Sequence, residues 1–283
     1  MPVRPNRRLV LTGALTLSAA ALTGCGVRLE DDAPDIPFIP ERDPIPGEAA
    51  LLAVLGALEA STGPSSQERA TSLHQALEQA QVPAKVIAGA TAPADAAETV
   101  AAFEGAVRDC GPGMLPLVGR LTATQRIVTD APGTADLWTV SGTTTWKDGS
   151  VAADALQATR ATTYALDLIA ARSSGRVATD VLTASTGLDE LSVRQTTAAG
   201  EAIEPVRLGY DVAHELSATQ AHELGVRSFV RLLAAYADGF ARLGEDRAAA
   251  LEVTQWMVTA QRLSRSQFLQ DVPELYGTDP ADS

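Results

Sequence analysis

The chain is poor in the side chains that most catalysis and metal binding draw on. Its 283 residues include two cysteines, three histidines and two lysines, and only 4% are aromatic. Two cysteines exclude a disulfide framework and a Cys-rich zinc site. Three histidines (His74, His214 and His222) leave few bases to activate a serine or threonine nucleophile. Positive charge is scarce too: 22 Lys and Arg stand against 35 Asp and Glu, a net charge of −13. Such a balance argues against nucleic acid as a partner and against direct docking on anionic lipid. No apolar run approaching the roughly 20 residues of a membrane span follows residue 24. There is no Gly-x-Ser-x-Gly elbow, phosphate loop or dinucleotide fingerprint. The expectation is a protein without a catalytic site or a cofactor.

What is present begins with residues 1–24, which have the three parts of an export signal. Arg4, Arg7 and Arg8 form a basic start, Leu9 to Leu22 is apolar, and Thr23-Gly24 are small. The apolar run is short for a transmembrane anchor, the alternative reading. Leu22-Thr23-Gly24-Cys25 resembles the bacterial lipobox. That resemblance implies a diacylglyceryl group on the Cys25 thiol, cleavage between Gly24 and Cys25, and acylation of the new amino terminus. Lipid on Cys25 would tie the exported protein to the extracytoplasmic face of the cell membrane, since two or more acyl chains anchor where one does not. Arg7-Arg8 followed by Leu9-Val10-Leu11 also looks like a twin-arginine signal, so two export routes stay open. Loss of the three leader arginines takes the net charge to −16.

Residues 25–47 carry the lipidation cysteine and an acidic linker. Pro34, Pro37 and Pro40 recur every third residue, then Pro44 and Pro46 follow, a pattern for an extended, semi-rigid spacer. From Glu48 onward Ala, Leu, Glu, Arg and Gln dominate, all good helix formers. The fold class expected is all-α. Helices are predicted over 48–61, 66–81, 94–110 and 114–129, an N-terminal helical domain spanning 48–132. Cys110 falls on the apolar stripe of the third, where a buried thiol is the expectation. Residues 133–149 form a connector with a possible strand pair, in which Trp138 and Trp146 would pack between two halves. Four longer helices are predicted over 150–173, 179–200, 217–243 and 245–271, with Gly175 closing the first and the capping box Ser217-Ala218-Thr219-Gln220 opening the third. Two short links and one long one suit a four-helix bundle over 150–276, followed by a tail at 277–283.

This second half resembles the actinobacterial ferritin-like domain family of unknown function. The matching residues are Leu156 to Ala165 (LQATRATTYA), Arg227-Ser228-Phe229 and Thr259-Ala260-Gln261-Arg262. The resemblance implies an up-down bundle with a crossover between its second and third helices, which the 201–217 link fits. The first half would be a degenerate copy of the same bundle. Ferritin-like carboxylate chemistry needs Glu on two helices and Glu-x-x-His on the other two. Here Arg160 and Thr163 stand where an inward Glu is expected, Glu190 is followed three later by Val193, and Glu252 by Gln255. The expectation is therefore no metal. His214, Glu215, His222 and Glu223 are the weak candidates, since neither His-Glu pair completes His-Glu-x-x-His. The sequence thus points to a non-catalytic envelope lipoprotein that binds or scaffolds an unidentified protein or ligand. The alternative is a metal- or small-ligand-binding protein using a residual bundle cavity.

Overall fold

The structure is a computed structural model. It describes residues 42–63, 65–129, 137–138, 145–203, 205, 216–244 and 246–272. The export segment, Cys25 and nearly all of the linker lie outside the described residues. The described part is helical, with no strand in it. The helices are α1 (Glu48–Ala60), α2 (Ser66–Gln79), α3 (Ala84–Ile87), α4 (Ala96–Asp109), α5 (Leu115–Val128), α6 (Ser150–Ala170), α7 (Gly175–Ala199), α8 (Ala218–Arg242) and α9 (Arg247–Leu263). Short 3₁₀ turns follow at Gly200–Ala202 and Gln267–Leu269.

Local chemistry sets several of the ends. The Ser217 side chain accepts the Gln220 N–H while the Gln220 side chain accepts the Ser217 N–H, so the expected capping box opens α8. Asp95 and Asp246 cap α4 and α9 by accepting the N–H of Glu98 and of Ala249 respectively. Two expectations shift. Gly175 does not close α6. It begins α7 with φ of 61°, after α6 has ended at Ala170. The last helix stops at Leu263 rather than near 271, because the Ser264 hydroxyl turns back to the Gln261 carbonyl at 2.8 Å and competes for the backbone. The tetrapeptide helix α3 was not foreseen, being too short to show a period.

Helices α6, α7, α9 and α8 form a closed ring of neighbours in that order: α6 packs on α7 and α8, and α9 packs on the same two from the other side. The N-terminal helices do not stand apart. α4 and α5 pack on α9, and α5 also reaches α8. Residues from Pro44 onward form one compact unit, and a single apolar core runs from Leu51 to Val272. The helices on either side of residues 133–149 thus share one core. The reason lies in α9, which has only three charged residues, Arg247, Glu252 and Arg262. It buries Ala249, Ala250, Val253, Trp256, Met257, Val258 and Ala260 on more than one side. A helix apolar on most of its circumference needs neighbours all round, and the N-terminal helices supply those the bundle does not.

The two connector tryptophans separate rather than pair. Trp138 leans on Phe103 of α4 with ring centroids 6.5 Å apart, and the Arg126 guanidinium lies over its ring at 5.7 Å. Trp146 instead stacks on Trp256 of α9. No strand occurs at residues 137–138 or 145–149. The rest of the expected strand pair lies outside the described residues.

Candidate functional site

Helices α6, α7, α8 and α9 all send polar side chains to one buried chain of contacts. Thr159 of α6, Gln195 of α7, Tyr236 of α8 and Glu252 of α9 are each at most 3% exposed. The Thr159 hydroxyl donates to the Ala155 carbonyl at 2.9 Å. Its single proton is thereby used, so at the 2.5 Å contact between Thr159 and Tyr236 the phenol is the donor. The Gln195 amide donates to the same phenol oxygen at 2.8 Å. Tyr236 tilts against Trp256 with centroids 6.2 Å apart, and Trp256 stacks on Trp146 at 5.0 Å and 9°. The Trp146 indole N–H donates to Glu252 Oε2 at 2.8 Å. Gln195 Oε1 and Trp256 Nε1 are buried without a hydrogen-bond partner.

Gln195 was missed as an inward residue. The signal was available: it continues the stripe Val181, Ala184, Leu188, Leu191 at the same spacing. The Trp146–Glu252 bond joins residues 106 apart and had no local signature. On α6 the buried hydroxyls are those of Thr159 and Thr162, while Arg160 and Thr163 are half-buried. Glu190, the other carboxylate weighed, is exposed on α7.

The dinuclear metal centre implied by a ferritin-like fold does not fit these residues. The cluster offers one carboxylate, and Ser192-x-x-Gln195 and Glu252-x-x-Gln255 provide no imidazole. No group of three His, Cys, Asp or Glu that could hold a metal ion occurs among the described residues. Burial pushes the Tyr236 phenol above its ordinary value of 10.0, against the smaller opposing effects of Thr159 and Gln195. What the arrangement does chemically is hold a neutral phenol and an amide in one geometry, which fixes the relative rotation of three helices.

Of the weak metal candidates, His214 and Glu215 lie outside the described residues. His222 and Glu223 open the exposed side of α8, and Glu223 points to solvent. His222 is spoken for at both nitrogens: Nδ1 sits 2.7 Å from the Phe268 carbonyl and Nε2 sits 2.8 Å from Asp271 Oδ2. Its ring meets Phe268 edge-on at 5.6 Å. Both ring nitrogens thus face an oxygen of residues 268–271 and not an open position. The role the geometry gives His222 is to fasten residues 268–271 onto α8.

Cys110 is a buried free thiol at the end of α4. Burial pushes it up from 9.0 to about 11, with the nearby Arg247 charge pulling the other way. Both Cys110 and Tyr236 titrate higher folded than unfolded. Each therefore adds stability that is complete below its unfolded value and is lost as pH rises towards its folded one. The urea midpoint should hold from pH 7 to about pH 9 and then fall. Tyr236→Phe should flatten the upper part of that fall. A midpoint independent of pH up to 10.5 would contradict the buried placement of both groups.

Comparison of the chain with family models, with curated proteins and with solved structures finds no match. No helix among the described residues is long and apolar enough to cross a membrane.

Proposed function

We propose that this is a non-catalytic lipoprotein of the cell envelope. Its helical unit is a ferritin-like bundle whose metal site has given way to a hydrogen-bonded core, and it binds or scaffolds a partner. The observation that carries this reading is the Thr159–Gln195–Tyr236 network. Three bundle helices meet there through neutral groups, and the fourth adds one carboxylate already engaged by Trp146. An oxidase or storage bundle needs several carboxylates at that level. The ring of contacts among α6, α7, α9 and α8 supports the bundle. The long link between α7 and α8 agrees with a crossover.

The export segment and the tether at Cys25 rest on the lipobox resemblance. An anchor of lipid, with a proline-rich spacer, would hold the unit near the membrane without any apolar surface of its own.

The test uses the full chain in a bacterial host that processes lipoproteins. Labelled palmitate should enter the protein and fractionation should place it in membranes. Cys25→Ser should lose the label and move to the soluble fraction. The wild-type protein, purified without chelator and offered Fe(II), Mn(II) or Zn(II), should hold no stoichiometric metal. A Cys25→Ser chain that stays with the membranes would end the lipoprotein reading. One or two tightly held ions per chain would end the lost-site reading and restore the storage alternative.

A further inference from the structure

One end of the bundle gathers three of the basic side chains of this acidic chain, Lys147, Arg242 and Arg247. A pocket of about 580 Å³ opens there between the start of α6, the end of α8 and the start of α9. Its charged lining is Lys147, Asp148, Arg242, Asp246 and Arg247. The two carboxylates lie at helix starts, where each accepts a backbone N–H and keeps its charge. Asp148 accepts the Ser150 N–H at 2.9 Å, and Asp246 accepts the Ala249 N–H at 3.0 Å. Ser150, through its backbone first and its hydroxyl second, holds the Asp148 carboxyl below the usual range, and Arg242 adds to this. Arg242 is likewise held, by Asp154 and by the Ser150 hydroxyl. That leaves Lys147 and Arg247. Neither has an ion-pair partner among the described residues. Arg247 Nη1 is buried and makes no hydrogen bond.

In a chain with 35 acidic side chains to 22 basic ones, two cations on one pocket that form no ion pair, one of them with a buried unbonded nitrogen, call for an explanation. Buried donors are normally paired, and an unpaired guanidinium N–H loses its hydration for nothing. An anion in the pocket would restore both. We propose that this pocket binds a small oxyanion of the phosphate class, gripped by Lys147 and Arg247 and bordered by Arg242. The guanidinium presents a planar fork to oxyanion oxygens, and the lysine adds a point charge on a flexible stem.

The position of the pocket bears on where the anion comes from. Arg247 is close enough to Cys110 to act on its thiol. The Cys110 backbone in turn is packed on Gly47, where a Cβ would sit 2.8 Å from the Cys110 nitrogen. Gly47 is where the chain enters the compact unit. Arg247 thus joins the pocket, by way of Cys110, to the residue at which the chain enters the compact unit. A free phosphate and a phospholipid headgroup share the chemistry this site recognises.

The test uses the full-length Cys25→Ser chain, so that its outcome does not depend on whether lipidation occurs. Inorganic phosphate is titrated at low ionic strength by calorimetry. In parallel, flotation is run with vesicles of phosphatidylglycerol and of phosphatidylcholine. Saturable binding of one phosphate per chain should weaken by about tenfold or more in Lys147→Gln and in Arg247→Gln, the loss of one charge-assisted contact. Lys147→Arg should retain it. Arg176→Gln, which removes an exposed cation paired within α7, should leave it unchanged. Lys147 is exposed, so its variant reads binding without disturbing the fold. Flotation with phosphatidylglycerol alone, lost in the same two variants, would assign the headgroup as the source. Absence of binding to both probes, or binding that Lys147→Gln and Arg247→Gln leave intact, would overturn the proposal.

Discussion

Trp256→Ala should lower the unfolding free energy by about 3–5 kcal/mol, the range for removing a buried large aromatic side chain. Trp256 is 1% exposed. It stands on α9, the helix that packs against α4, α5, α7 and α8. Its ring is the middle member of the series Trp146, Trp256, Tyr236. Truncation would open a cavity beside Trp146 and Tyr236 in the buried core, lined by rings that cannot shift far without losing their own contacts. The Trp146 ring would lose its stacking partner, which loosens the indole that donates to Glu252. A domain of ordinary stability has only about 5–15 kcal/mol to lose, so this one variant should stand near the threshold of folding. Urea denaturation followed by circular dichroism measures the change, with Trp256→Phe expected to cost distinctly less. A loss under about 1 kcal/mol for the alanine variant would mean that α9 is not the hub of the packing.

Gly149→Ala should cost about 2–3 kcal/mol, for a reason unrelated to conformational freedom. Gly149 has φ of −79° and ψ of 0°, which alanine adopts without strain. On backbone entropy alone the change would stabilise by a few tenths of a kcal/mol to about 1. The added Cβ, however, would fall 2.1 Å from the Ala199 carbonyl oxygen and 2.7 Å from its carbon. Those are backbone atoms at the last turn of α7, held in part by the Trp146 N–H bond to the Ala198 carbonyl at 3.0 Å. They have no rotamer by which to yield. The start of α6 and the end of α7 would have to separate, and the pocket bordered by Asp148 would widen with them. Gly113→Ala is the matched control, since nothing lies within 4 Å of its added methyl. Its change should stay within about 0.5 kcal/mol. Equal urea midpoints for the two variants would show that the approach at Gly149 is not close.

Much of the helical architecture could be read from residue spacing. The stripe Phe229, Leu233, Tyr236 and Phe240 on α8 is buried as its 4-3 rhythm requires, and Ser217 with Gln220 marks its start through a reciprocal cap. Helix ends were less legible where a side chain intervenes, as Ser264 does after α9. The candidate site was legible by halves. Thr159 and Tyr236 stand at helical spacing from apolar residues, and Gln195 continues such a stripe on α7. Their hydrogen bonding was not legible, because a period tells which face turns inward and says nothing of which polar atoms then meet. His222 illustrates the same gap: adjacent to Glu223 it suggested a ligand pair, while its actual partners are the Phe268 carbonyl and Asp271, 46 and 49 residues on.

The sequence by itself determined what depends on local order and composition: a helical fold class, the position of most helices, the absence of a Glu-x-x-His motif and the strongly acidic balance. These follow from propensity, capping and periodicity, which act over a few residues. The tertiary structure alone decided that the two halves share one core, that Trp138 and Trp146 part company, and that Lys147, Arg242 and Arg247 surround one pocket. Each of those depends on which helix faces which. For α9, apolar on most sides, the choice of neighbours is made by burying the largest area at once and not by any pattern within its own seventeen residues.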